Sequence, residues 1–151
     1  MSERQSRKYS RDFAGSIEAV SDADTWLASQ FGLLGIGGDT EFAINLCVEE
    51  LFLNAVQHGH ANQATISIWT ESDGVRVEFV DDGEPFDPTR AAAVRINGPN
   101  DDFPIGGYGT GLVHKFSRRM GYRRSDGHNR VLLEFDADGD AGAGAQALRA
   151  T

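Results

Sequence analysis

The chain reads as an α+β domain, a two-layer sandwich of one mixed, mostly antiparallel sheet with helices on one face. Three observations predict this. Residues 39–58 are apolar on most sides at helical spacing, as a buried helix would be. Residues 64–70 and 75–80 alternate apolar with polar across Ser72-Asp73-Gly74, as a hairpin would. A further helix start and a second hairpin close the pattern.

The elements follow in order. Residues 1–8 form a polar, basic arm expected to be disordered, and residues 9–13 suit an edge strand. Ser16 is placed to cap a first helix running to about Phe31, with Ile17, Val20, Trp26 and Leu27 as its inner face. A glycine-rich loop spans residues 32–38. Asp39 or Thr40 then caps the second helix, and Gly59 stops it. In the hairpin, Ile66, Ile68 and Thr70 share one face, and Val75, Val77 and Phe79 do the same in the next strand. Residues 91–93 suit a short helix. Residues 95–107 form a long polar loop rich in Gly and Pro, the kind that often serves as a lid. A third helix is expected from Thr110 to Gly121. A hairpin of residues 122–124 and 131–135 follows, then a Gly/Ala-rich tail, residues 137–151, expected to be flexible. The folded domain is thus residues 9–136.

Composition narrows the function. The 151 residues are 40% hydrophobic and 25% charged, enough for one domain with a full core. A net charge of -9 argues against non-specific nucleic-acid binding. Cys47 is the single cysteine, which excludes an intrachain disulfide and suits a reducing, cytoplasmic setting. No apolar run approaches the roughly 18 residues of a membrane span.

Three clusters carry chemistry. Glu50 and Asn54 lie one helical turn apart on one face of the buried second helix. Such groups need partners, which a ligand would supply. One carboxamide oxygen is enough for Mg²⁺ that keeps waters and phosphates as its other ligands, and Glu50 could take a proton from a hydroxyl nucleophile. The second cluster, Asp81-Asp82-Gly83-Glu84-Pro85, follows a strand. An ionised Asp81 accepts a hydrogen bond from an exocyclic amine such as adenine's and meets a guanine carbonyl badly, while Gly83 lets a flat ring lie close. The third, Gly106-Gly107-Tyr108-Gly109-Thr110-Gly111, opens a helix and suits phosphates. Singly, each has an ordinary explanation: a helix that tolerates a Glu, an acidic turn, a flexible loop.

Together, in this order, the three clusters resemble the GHKL ATPase/kinase superfamily with its Bergerat ATP-binding fold. Glu50 and Asn54 match its asparagine box, Asp81-x-Gly83-x-Pro85 its first glycine box, and Gly107-x-Gly109-x-Gly111 its second. The short form looks most like the bacterial anti-sigma-factor serine kinases, as in Ala55-Val56-Gln57-His58-Gly59 and Pro85-Phe86-Asp87-Pro88. The resemblance implies ATP and Mg²⁺ as ligands. Asn54 would hold the metal, and Glu50 would be the general base or orienting acceptor for a serine hydroxyl. Asp81 would read the adenine amine, with Gly83 and Pro85 shaping its loop. Gly107, Gly109, Thr110 and Gly111 would hold phosphates, and residues 88–106 would be the lid, with Arg95 as its counter-charge. It further implies a STAS-domain anti-anti-sigma protein as substrate, a sigma factor or equivalent target as second partner, and a homodimer. The lid is more acidic than such a role suggests, and Tyr108 stands where many relatives carry a basic residue.

Two rival readings stand beside this one. A module that binds nucleotide and sequesters partners without transfer would need no base, and Glu50 argues against it. The catalytic half of a histidine kinase would want a phospho-accepting helical hairpin, which these 151 residues leave no room for. Among other residues, His58 and His60 do not share a helix face and suit the surface. Cys47 suits a buried filler. Lys115, Arg118, Arg119, Arg123 and Arg124 form either a solvated helix face or a contact for an acidic partner. Trp26 and Trp69 suit a core or a dimer contact.

Overall fold

Side-chain alternation decides which face of the sheet is covered. The computed structural model describes residues 7–90 and 110–136. Its elements are β1 (Tyr9–Ala14), α1 (Glu18–Leu34), α2 (Gly38–Gln57), β2 (Gln63–Glu71), β3 (Gly74–Asp81), α3 (Thr110–Phe116), β4 (Arg119–Ser125) and β5 (His128–Asp136). The strands lie in the order β1-β2-β3-β5-β4. Every described pairing is antiparallel, so the mixed sheet expected from the sequence is here antiparallel throughout.

Ile66, Ile68, Val77, Phe79, Val131 and Leu133 face one side and form a single core with Leu27 and Phe31 of α1 and Ile44, Val48 and Phe52 of α2. Phe52 meets Phe79 and Phe13 edge-on, with centroids 5.5 and 6.2 Å away. The opposite face carries Trp69, Arg76, Glu78 and Glu134, none of them fully buried. One solvated face is usual for an antiparallel sheet.

Four local expectations change. The buried stripe of α1 is Ala19, Ala23, Leu27, Gln30 and Phe31, while Ile17 is 47% exposed. Leu27 is fully buried and Val20 and Trp26 pack against the core as expected, so of the four residues only Ile17 falls outside the inner face, to which small alanines also contribute. Helix α1 also runs on to Leu34, where Gly35 at φ +72° ends it and donates its N–H to the Phe31 carbonyl. Ser16 does serve the start, its Oγ accepting the Ala19 N–H at 3.3 Å.

Helix α2 begins at Gly38 behind an extended Gly37 rather than at Asp39 or Thr40. Helix α3 stops at Phe116, not Gly121, and residues 119–125 form β4 instead. Ser117 turns its Oγ back to the Val113 carbonyl at 2.6 Å. Arg118 is drawn across to Asp136 at 2.9 Å, with Asp73 and Glu134 each at 3.4 Å. Pairing along β5 thus overrides local helix propensity.

Candidate functional site

The site is built where the C-terminal half of α2 meets the end of β3. Asn54 is 3% exposed, and both its Oδ1 and Nδ2 are buried without a hydrogen-bond partner among the described residues. Leaving two buried polar atoms unpaired is costly, so the position is shaped for something other than packing. Its backbone is fully used, since the Asn54 carbonyl accepts the N–H groups of His58 and Gly59 at 3.0 Å each. Glu50, one turn earlier, is half-buried. Burial raises its pKa, and the neighbouring Glu49 charge adds to this. Cys47, another turn back, is buried; desolvation and then the Glu50 charge push its thiol up to about 12. It stays protonated and points its Sγ at the Val113 carbonyl, 3.9 Å away.

Asp81 ends β3 facing the core side and is 6% exposed. Its Oδ1 accepts the Gly83 N–H at 2.8 Å and an Asn129 Nδ2 hydrogen at 3.1 Å. Burial raises its pKa, opposed by those two hydrogen bonds and by Arg124. Both described bonds fall on Oδ1, which leaves Oδ2 as the acceptor for an incoming donor.

Gly83 lies against Gly59, and the Glu84 N–H donates to the Gly59 carbonyl at 2.8 Å. Asp82 ties the same two loops together, its Oδ1 accepting the N–H groups of Asn62 and Gln63 at 2.7 and 3.0 Å. Arg124 of β4 donates to the Gly83 carbonyl at 2.8 Å. Pro85 is exposed at the loop's rim.

Helix α3 runs antiparallel to α2: Val113 meets Cys47, and Phe116 meets Phe42 with centroids 5.9 Å apart. Its first residues, Thr110 and Gly111, therefore lead toward the Glu50–Asn54 end of α2. Arg95, Gly107 and Gly109 lie outside the described residues, as does the short helix expected at 91–93.

The structure thus brings Glu50, Asn54, Asp81 and Gly83 to one end of the helix–sheet interface. Asn129 joins them unforeseen, because its role depends on the β3–β5 register, which no local pattern shows. Asp82 stood in a visible acidic cluster, but its two backbone partners are twenty residues back in the chain. His58 and His60 belong to no metal cluster, since no group of three or more potential His, Cys, Asp or Glu ligands occurs among the described residues. No described helix is long and apolar enough to cross a membrane.

An antiparallel sheet backed by helices is the frame of a histidine kinase-like ATPase domain. The chain belongs to that family, whose model matches residues 13–135. Membership implies nucleotide binding. Among solved structures, the fold is similar to the crystal structure of the RsbU and RsbW domains of Rv1364c from Mycobacterium tuberculosis, with a TM-score of 0.63 at 15% identity. The match covers 87% of this chain but 32% of that longer one. No curated protein matches the chain.

Proposed function

We propose that this domain is an ATP- and Mg²⁺-dependent protein-serine kinase of the anti-sigma, partner-switching type. It would phosphorylate a STAS-domain antagonist and hold a sigma factor or equivalent target in its other state. The observation that carries the reading is Asn54, buried with both side-chain polar atoms unpaired among the described residues, one turn from a half-buried Glu50. A lone carboxamide oxygen fits a Mg²⁺ whose remaining ligands are waters and phosphates. When bound, that ion would neutralise phosphate charge.

The chain's own residues would do the rest. Asp81 would accept from the adenine amine, and the Gly83 loop would flank the base. The start of α3, with Thr110 and Gly111, would approach the phosphates with backbone N–H groups. Glu50 would orient the serine hydroxyl and take its proton; the burial that raises its pKa makes its carboxylate the more basic. Phosphoryl transfer depends mainly on positioning and charge neutralisation, so this inventory suffices.

Single-turnover transfer of the ATP γ-phosphate to a STAS protein tests the reading, with ATP affinity measured in parallel by calorimetry. Wild type should form acid-stable phosphoserine. Glu50→Ala should bind ATP and transfer nothing. Undiminished transfer by that variant would remove Glu50 from its role. ATP binding by wild type with no transfer to any STAS protein would instead favour a nucleotide-binding, sequestering module.

A further inference from the structure

We infer that Asn129 is the positioning residue that aims Asp81 at the 6-amino group of a purine, and so sets the site's preference for adenine. This rests on the nucleotide reading above. Asn129 sits directly opposite Asp81 in the β3–β5 register and is 3% exposed. Its side chain uses four hydrogen bonds, all within reach of one carboxamide. Its Oδ1 accepts the Phe86 N–H at 3.2 Å and the Tyr122 hydroxyl at 2.7 Å. Its Nδ2 donates to Asp81 Oδ1 at 3.1 Å and to the Glu84 carbonyl at 2.8 Å.

That set admits one orientation of the amide. The Phe86 N–H can only donate and the Glu84 carbonyl can only accept, so a flipped Asn129 would face donor to donor and acceptor to acceptor. Nδ2 is therefore fixed toward Asp81. With the Gly83 N–H on the same oxygen, Oδ1 carries two donors, and the carboxylate cannot turn without losing both. Oδ2 is left as a single aimed acceptor. It matches an amine and opposes a carbonyl, which is the difference between the 6-positions of adenine and guanine. Tyr122 holds the opposite end of the amide, so β4 contributes to the aim through Asn129.

A residue that only stabilised the fold would weaken every nucleotide alike. The test is binding of ATP, GTP and purine riboside triphosphate, which lacks any 6-substituent, to the full chain and its variants. Wild type should prefer ATP to the purine analogue. Asn129→Ala should lose ~10-fold in ATP affinity, as for a buried hydrogen-bond network that no longer orients a charge. Its affinity for the analogue should hold within ~2-fold, so the two ligands converge. Equal losses for both would overturn the inference. Tyr122→Phe removes one donor and no volume from the core, and should show the same ATP-selective loss at ~3-fold; a loss shared by both ligands there would overturn it too. A wild type indifferent to the 6-amino group would remove the reading of Asp81 itself, and this inference with it.

Discussion

The carbonyl oxygen of Gly59 lies 2.7 Å from where a β-carbon on Gly83 would stand. The turn that ends α2 and the turn that ends β3 are therefore in backbone contact, and each limits the other. Gly83→Ala cannot be absorbed by a flexible side chain, because the obstacle is main chain. The 82–84 turn must shift, carrying the Gly83 N–H away from Asp81. A loss of about 1–3 kcal/mol of stability is expected, typical of overpacking. Nucleotide affinity should fall with it. Gly38→Ala is the control: nothing lies within 4 Å of its added carbon, and it starts a helix. Thermal melts should show that variant level with wild type or slightly above it. Similar melting of Gly83→Ala and wild type would mean the two turns are not in this contact.

Asn54→Leu should separate stability from binding. In the free domain both polar atoms of Asn54 are buried and unpaired among the described residues. An apolar side chain of similar size removes that penalty, so the variant should unfold at equal or higher denaturant, by up to about 1–2 kcal/mol. Mg²⁺-dependent nucleotide binding should be lost. A strongly destabilised Asn54→Leu would show that the carboxamide has structural partners instead.

Much of this was legible in the sequence, and the physical reason differs by element. Helix α2 and the β2–β3 hairpin announced themselves because burial imposes a period on the residues. The Glu50–Asn54 pair and the Asp81–Gly83 turn were readable for the same reason: spacing on one helix face and a break at a strand end are local properties. Helix α3 was read too long because the residues after Phe116 are decided by β5 and by the carboxylates around Arg118, all distant in the chain. Asn129 was invisible because it acquires meaning only across from Asp81. The close contact of Gly59 and Gly83 was equally hidden, although each glycine was seen alone.

Asp24 gives the fold a pH dependence that can be measured. It lies on α1 close to the Glu49 carboxyl of α2, and its pKa rises from 3.8 to about 7, mainly through burial and then through Glu49. A carboxyl raised on folding favours the protonated form, so its contribution is most favourable at low pH and fades as pH rises from about 4 through about 7. Asp24→Asn keeps a hydrogen-bond donor toward Glu49 without the charge. Above neutral pH it should stabilise the domain by on the order of 1 kcal/mol, discounted for the partial exposure of Asp24. Below about pH 4, where both states are protonated, the gain should vanish. Urea titrations across that range would decide it, and a pH-independent difference would mean that folding does not raise Asp24.

Asp81 should make binding and stability respond to pH in opposite senses. Burial raises its pKa, against the pull of Asn129 and the Gly83 N–H. For stability the sign matches that of Asp24: the protonated form is favoured, and its contribution is lost as pH rises through the raised value. For adenine the sign reverses, because only the ionised carboxylate offers Oδ2 purely as an acceptor. ATP affinity should therefore decline on acidification from a higher pH than an ordinary carboxylate would give, while the free domain gains stability from the same protonation. Asp81→Asn removes both dependences. Its amide can also turn an N–H toward a 6-oxo group, so the ratio of GTP to ATP affinity should rise by ~10-fold or more. Calorimetric titrations of ATP and GTP, run from neutral pH down into the ordinary carboxylate range, follow the transition. A wild-type ATP affinity flat across that range, with an unchanged nucleotide ratio in Asp81→Asn, would take base recognition away from this strand end.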